Sequence, residues 1–123
     1  MDEKVIPILI ESLGINRRYR GHDIAVGAIR RLGNSEGVAA YSLHRNVYEP
    51  LARDSGCNTQ QIERNLRTVI QRAWCVNPEG LQSICPYPLQ AAPTTGEFLD
   101  ILVTHLLRKH PAHTRSGDTP GRP

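Results

Sequence analysis

LARDSGCNTQQIERNLRTVIQRAW, running from Leu51 to Trp74, is the stretch whose reading decides the fold. It divides into a short helix, a turn centred on Gly56 and a long helix with one apolar and one polar face. Ile62, Leu66, Val69, Ile70 and Ala73 recur at steps of four, three, one and three, one stripe of a 3.6-residue period. Gln60, Gln61, Glu63, Arg64, Arg67, Thr68 and Gln71 fall outside the stripe. Asn58 or Thr59 can cap the first turn through a side-chain oxygen, and Glu63 stands early, where a carboxylate suits the positive end of the helix dipole. Pro50 suits the first turn of the preceding helix, where a missing N–H costs nothing. Leu51 and the small Ala52 face inward, and Gly56 can take the positive φ needed to leave that helix. This is the layout of a helix-turn-helix, whose second helix enters the DNA major groove. One position departs from it: three residues after Ile62, where an apolar side chain is usual, stands Asn65, and Leu66 next to it supplies the apolar group. The rival reading of the same stretch is an amphipathic core helix with a solvated polar face.

Outward from this hairpin, every other segment also reads as helix or loop. Val5, Ile6, Leu9, Ile10 and Leu13 predict a helix over residues 2–13, beginning or kinking near Pro7 and stopping at Gly14. NRRYRGH, residues 16–22, reads as a basic loop. A second helix is expected from His22 or Asp23 to Leu32, with Ile24, Ala25, Ala28, Ile29 and Leu32 inward. Gly33, Asn34 and Ser35 form a break, and a third helix carries Val38, Ala39, Leu43 and Val47. After Trp74 a Pro-rich segment holds one short helix before Cys85. A last helix, capped by Thr95, has a broad apolar face of Phe98, Leu99, Ile101, Leu102, His105, Leu106 and Leu107. The tail AHTRSGDTPGRP lacks large apolar residues and is expected to be disordered. The class is all-α, about six helices with a helix-turn-helix of the winged-helix-like or effector-domain type: one domain over residues 1–110 and a disordered tail over 111–123.

Bulk composition narrows the function. A chain of 123 residues, 39% hydrophobic and 5% aromatic, allows one mostly aliphatic core. Its net charge of +3 is unevenly spread: residues 13–74 hold ten Arg against five acidic residues, and the remainder five basic against seven acidic. A basic half carrying the recognition helix is what attraction to phosphates requires. No apolar run approaches the length of a membrane span and the N-terminus lacks a signal-peptide layout, so a cytoplasmic location is expected. Cys57, Cys75 and Cys85 are odd in number and form no CxxC pair, which supports neither a disulfide framework nor a zinc site. Cys75, Cys85, His105 and His110 match no common zinc spacing. Ser55 and Cys57 lack a neighbouring His and acid, no glycine-rich phosphate loop is present, and neither a cofactor nor an enzyme activity is expected. Trp74 reads as a core anchor and His105 as a core histidine.

Three groups of residues carry a resemblance to a known family. Leu13-Gly14-Ile15 with Gly21, then Ile62-Glu63-Arg64 with Arg67, Ile70 and Ala73-Trp74, and finally Pro93-Thr94-Thr95-Gly96-Glu97-Phe98 resemble the DNA-binding effector domain of the sporulation-initiation response regulator, the stage zero sporulation protein A family. The resemblance runs from about Leu13 to His110 in the same helix order. It implies a six-helix domain that binds double-stranded promoter elements and turns transcription up or down. In that family a phosphoacceptor receiver domain and a linker come first; the match here starts shortly after Met1, which implies an excised effector domain or a stand-alone relative.

The resemblance also implies residue roles. Glu63, Arg64 and Arg67 match polar recognition-helix residues. Glu63 can accept from a cytosine amino group, and Arg64 and Arg67 can each grip guanine or neutralise phosphate. Gln60 and Gln61 sit at the exposed N-terminal end, and Thr68 and Gln71 complete the DNA-binding set. Where this chain has Gln61 the family has an arginine that reads guanine; glutamine prefers adenine or mixed contacts, so the resemblance does not imply an identical target sequence. Arg17, Arg18 and Arg20 are candidates for backbone contacts. Two rival arrangements are an adaptor of the same fold that binds a transcription factor or RNA polymerase, and a homodimer formed through an exposed face of the last helix with Phe98 and Leu102.

Overall fold

A computed structural model of the chain describes residues 4–34 and 43–109. Among these described residues six α-helices follow one another: α1 (Val5–Ser12), α2 (Arg20–Asn34), α3 (Glu49–Ser55), α4 (Thr59–Val76), α5 (Pro78–Ile84) and α6 (Thr95–Lys109). A π-helical turn, His44–Tyr48, runs directly into α3. Among the described residues there is no strand, so the all-α class stands as read. The tail from His110 onward, and with it the domain boundary there, lies outside the described residues.

The core is assembled around α4. Its stripe of Ile62, Leu66, Val69, Ile70 and Ala73 is buried throughout. α2 packs chiefly on α4, and α3, α5 and α6 complete the surround. From α2 come Ile24, Ala25, Ala28, Ile29 and Leu32, all buried as the periodicity requires. Ile6, Ile10 and Leu13 of the first helical segment are buried too, and Gly14 ends that segment at φ +100°. Asn77, at the end of α4, joins three elements. Its Oδ1 accepts from the Gly80 N–H and so caps α5, while its Nδ2 donates to the Ser12 carbonyl at the end of α1. Trp74 is half-buried against the core, the anchor expected of it.

Four sequence expectations are corrected. First, α2 begins at Arg20, not at His22 or Asp23, so the basic loop is shorter than residues 16–22, and it runs on to Asn34, so Gly33 and Asn34 belong to the helix and not to the break expected after Leu32. The reason for the early start is tertiary: Gly21 lies so close to α4 that a Cβ there would meet Val69 Cγ2 at 2.4 Å and the Asn65 carbonyl oxygen at 3.0 Å. Beside it, His22 is buried between the carboxylates of Glu11 and Asp23, 3.5 and 3.2 Å away. Second, the third helix and the first helix of the hairpin are not separate where described. The π-helical turn carries buried Val47 and Tyr48 straight into α3. Residues 35–42, including Ser35, Val38 and Ala39, lie outside the described residues. Third, Thr94 and not Thr95 caps α6. Its Oγ1 accepts from the Glu97 N–H at 3.2 Å, and Glu97 Oε1 accepts from the Thr94 N–H at 3.0 Å, a reciprocal box. Fourth, the last helix offers no exposed face through Phe98 and Leu102: both are fully buried, because α6 packs on α2 and α4 and closes the core.

Candidate nucleic-acid interface

The helix-turn-helix is built as its residues dictate. Pro50 stands in the first turn of α3, and Leu51 and Ala52 are buried against the rest of the domain. Gly56 leaves α3 at φ +70°, ψ +32°, the left-handed region that costs other residues about 1–2 kcal/mol. The Cys57 N–H returns to the Ala52 carbonyl at 2.9 Å and closes the turn. Asn58 then caps α4. Its Oδ1 accepts from the Gln61 N–H at 2.9 Å, and Gln61 Oε1 accepts from the Asn58 N–H at 3.0 Å. Of the two capping residues the sequence allowed, Asn58 is the one used.

The face of α4 turned to solvent carries Gln60, Gln61, Arg64, Arg67, Thr68 and Gln71, all exposed, with Glu63 half-buried at its edge. Gln60, Arg64, Arg67 and Gln71 recur at i, i+4, i+7 and i+11, so they form the centre line of that face. Arg67 donates to Glu63 Oε2 at 2.8 Å across one helical turn, with the arginine side chain 71% exposed. An exposed pair of this spacing contributes only about 0.3–0.5 kcal/mol, so Arg67 can leave it for a phosphate or a base. Gln60, Glu63, Arg64 and Arg67 together line a shallow depression. Thr68 is less free than its exposure suggests, since its Oγ1 donates to the Arg64 carbonyl at 3.0 Å. Asn65, at the position where an apolar residue was expected, is half-buried and donates from Nδ2 to the Gln61 carbonyl at 2.8 Å; Leu66 fills the core place instead.

The three loop arginines part company. Arg17 is turned to α1, where it bonds Glu11 at 2.6 Å and holds that carboxyl below the usual carboxylate range. Arg20 opens α2 and lies 3.5 Å from the Ser55 carbonyl, beside the turn of the hairpin. Arg18 is exposed, its backbone N–H bonded to Asn16 Oδ1. Behind them, Arg72 stacks over the Tyr19 ring at 4.6 Å and donates to the Gly14 carbonyl at 3.0 Å, tying the loop to α4. Arg31 bridges α2 to α3 through Asp54 at 2.9 Å and so steadies the first helix of the hairpin.

An open groove of about 560 Å³ runs beside Arg67, walled by Tyr48, Glu63, Gln71 and the segment Ala92 to Gly96. Burial pushes the Tyr48 hydroxyl above its ordinary pKa, and the nearby Glu63 carboxylate adds to that shift. The π-helical turn is what brings Tyr48 here, and no residue pattern in 44–48 announces it. Among the described residues no group of three or more His, Cys, Asp or Glu side chains is placed to hold a metal ion. No helix among them is long and apolar enough to cross a membrane.

Among the described residues, a helical hairpin whose second helix buries one side and displays glutamines and arginines on the other has the layout of the helix-turn-helix class of domains. Residues 6–106 match the family described as sporulation initiation factor Spo0A C terminal. The chain belongs to that family, one of DNA-binding regulatory domains and not of enzymes. A search of curated proteins finds no match.

Proposed function

We propose that the chain is a sequence-specific DNA-binding regulator of transcription, with α4 as its recognition helix in the major groove. The observation that carries this reading is the centre line of Gln60, Arg64, Arg67 and Gln71, exposed on a helix whose opposite side is wholly buried. Arg64 and Arg67 supply affinity and part of the specificity, through guanine edges or phosphates; Gln60, Gln61 and Glu63 refine base choice, and Thr68 and Gln71 extend the contact along the groove. In this reading DNA-backbone contacts go to Arg20 and Arg18, supported by their exposure and by Arg20 lying beside the turn, and not to Arg17, which is engaged by Glu11. Tight binding by a domain of this size calls for two copies on paired half-sites, and contact with RNA polymerase belongs to the same reading. Such a regulator works in the bacterial cytoplasm, within reach of the chromosome.

Fluorescence anisotropy of a labelled duplex across a salt series tests this reading against the adaptor. A domain that neutralises about four phosphates loses on the order of 100-fold in affinity between about 50 and 200 mM salt. An adaptor gives no duplex binding to lose, and its protein partner would stay bound over the same range.

A further inference from the structure

Gln61 stands where glutamine chemistry suggests an adenine reader, because a free amide can accept from adenine N6 and donate to N7 at once. The structure removes half of that ability. The backbone N–H of Asn58 needs an acceptor, and Gln61 Oε1 is the atom that supplies it, at 3.0 Å. That donor fixes which way the amide is turned. The reciprocal bond, from the Gln61 N–H to Asn58 Oδ1 at 2.9 Å, holds the side chain's own backbone in the same box. An amide oxygen has a second lone pair. Reading adenine, however, requires oxygen and nitrogen side by side against the base edge, and here the oxygen is turned back onto the start of the helix. What Gln61 has left to offer is the Nε2 group, which only donates.

We infer that Gln61 acts as a donor-only reader, capping α4 with its oxygen and preferring a guanine, whose major-groove edge presents acceptors at N7 and O6 and no donor there. This rests on the proposed DNA-binding function and assigns one position of the target site. Adenine is disfavoured because its N6 amino group would meet a donor, cytosine for the same reason at N4, and thymine because it offers a single acceptor, O4, beside its C5 methyl where guanine offers two. A glutamate at the same place would close the same box with one oxygen, as glutamate and glutamine both do in capping boxes. Its second oxygen could only accept. Gln61→Glu therefore inverts the polarity of the exposed group while keeping the cap.

The test is selection from a randomised duplex library by the wild-type chain and by Gln61→Glu, scored as base frequencies so that a uniform loss of affinity from the added charge drops out. The expected result is a motif that changes at a single base pair, from guanine to cytosine on the strand that Gln61 reads, with every other position kept. Any base other than guanine at that pair in the wild-type motif, or a motif identical in both proteins, overturns the assignment. Thermal melting without DNA examines the cap separately. Gln61→Ala should lower the melting temperature by roughly 4–8 °C while Gln61→Glu stays near wild type; equal melting of the alanine and wild-type chains removes the box from which the donor argument starts. A folded wild-type chain that enriches no motif refutes the DNA-binding reading itself, an outcome distinct from either of these.

Discussion

Gly21→Ala should separate α2 from the recognition helix, and the structure says by how much. The added methyl carbon would lie 2.4 Å from Val69 Cγ2 and 3.0 Å from the Asn65 carbonyl oxygen. Relief to an ordinary contact needs a displacement of roughly 1 Å. Neither neighbour gives way easily. Val69 is buried, and a β-branched side chain in a helix is held to one dominant rotamer. The Asn65 oxygen belongs to the backbone of α4 itself. Overpacking of this kind costs about 1–3 kcal/mol, only partly offset by alanine's better helix propensity at the first turn of α2. For a domain of this size each kcal/mol lowers the melting temperature by roughly 4–8 °C. Gly27→Ala is the matched control on the same helix. Its Cβ would meet only the Leu51 side chain, Cδ2 at 2.7 Å and Cγ at 4.0 Å. Leu51 is buried, but the close atom is the far end of a side chain unbranched at Cβ, which can shift a methyl without moving backbone. Thermal melts followed by far-UV circular dichroism should therefore show Gly21→Ala well below the wild type and Gly27→Ala within about 0.5 kcal/mol of it or above it. If Gly21→Ala melts at or above the wild type, the close α2–α4 approach that sets the start of α2 is wrong.

Three further outcomes follow from the geometry. Gly56→Ala should destabilise by about 1–2 kcal/mol in urea melts, although a Cβ there meets nothing within 4 Å, because the cost comes from φ +70° alone; no change would show that the turn is not left-handed. The Thr94 N–H, foremost, holds the Glu97 carboxyl below its usual range, with the Thr94 and Tyr87 hydroxyls adding to it. A carboxyl depressed in the folded state stabilises above its unfolded pKa of about 4.5 and loses that contribution as the pH falls through the lower folded value. Glu97→Gln, which keeps the cap without the charge, should accordingly flatten the fall in urea midpoint below about pH 4.5, and an unaltered acid limb would contradict the box. Arg67→Ala should weaken duplex binding by about 1–3 kcal/mol with loss of preference at one position if Arg67 reads a base. Equal weakening on random and selected duplexes would confine it to phosphate.

Much of this was legible because α4 makes its own case. Five apolar residues on one stripe leave a single way to bury the helix, and that choice also fixes which polar residues face outward. Gly56 and Asn58 follow from local chemistry, the one tolerating positive φ and the other carrying a short acceptor. The expected cap at Thr95 missed a local signal that was present. Thr94-x-x-Glu97 is a capping-box spacing, and Asn58-x-x-Gln61 is its counterpart at the recognition helix. What stayed hidden depends on contacts between distant segments. Nothing near Arg20 says that α2 starts there; the buried packing of Gly21 on α4 does. Nothing in the apolar face of α6 told whether Phe98 and Leu102 meet the domain's own core or a second copy, and only the packing on α2 and α4 decides it. Tyr48 joins the site through a π-helical turn, an irregularity that side-chain periodicity does not encode.

The exposed centre line of α4 is the central claim, and enrichment of duplexes by the wild-type chain beside an Arg64→Ala/Arg67→Ala double variant tests it most directly. Both side chains are exposed, so the variant should fold and melt like the wild type. The account predicts one enriched motif for the wild type and none for the folded variant. The same motif recovered by both proteins, or by neither, would contradict it.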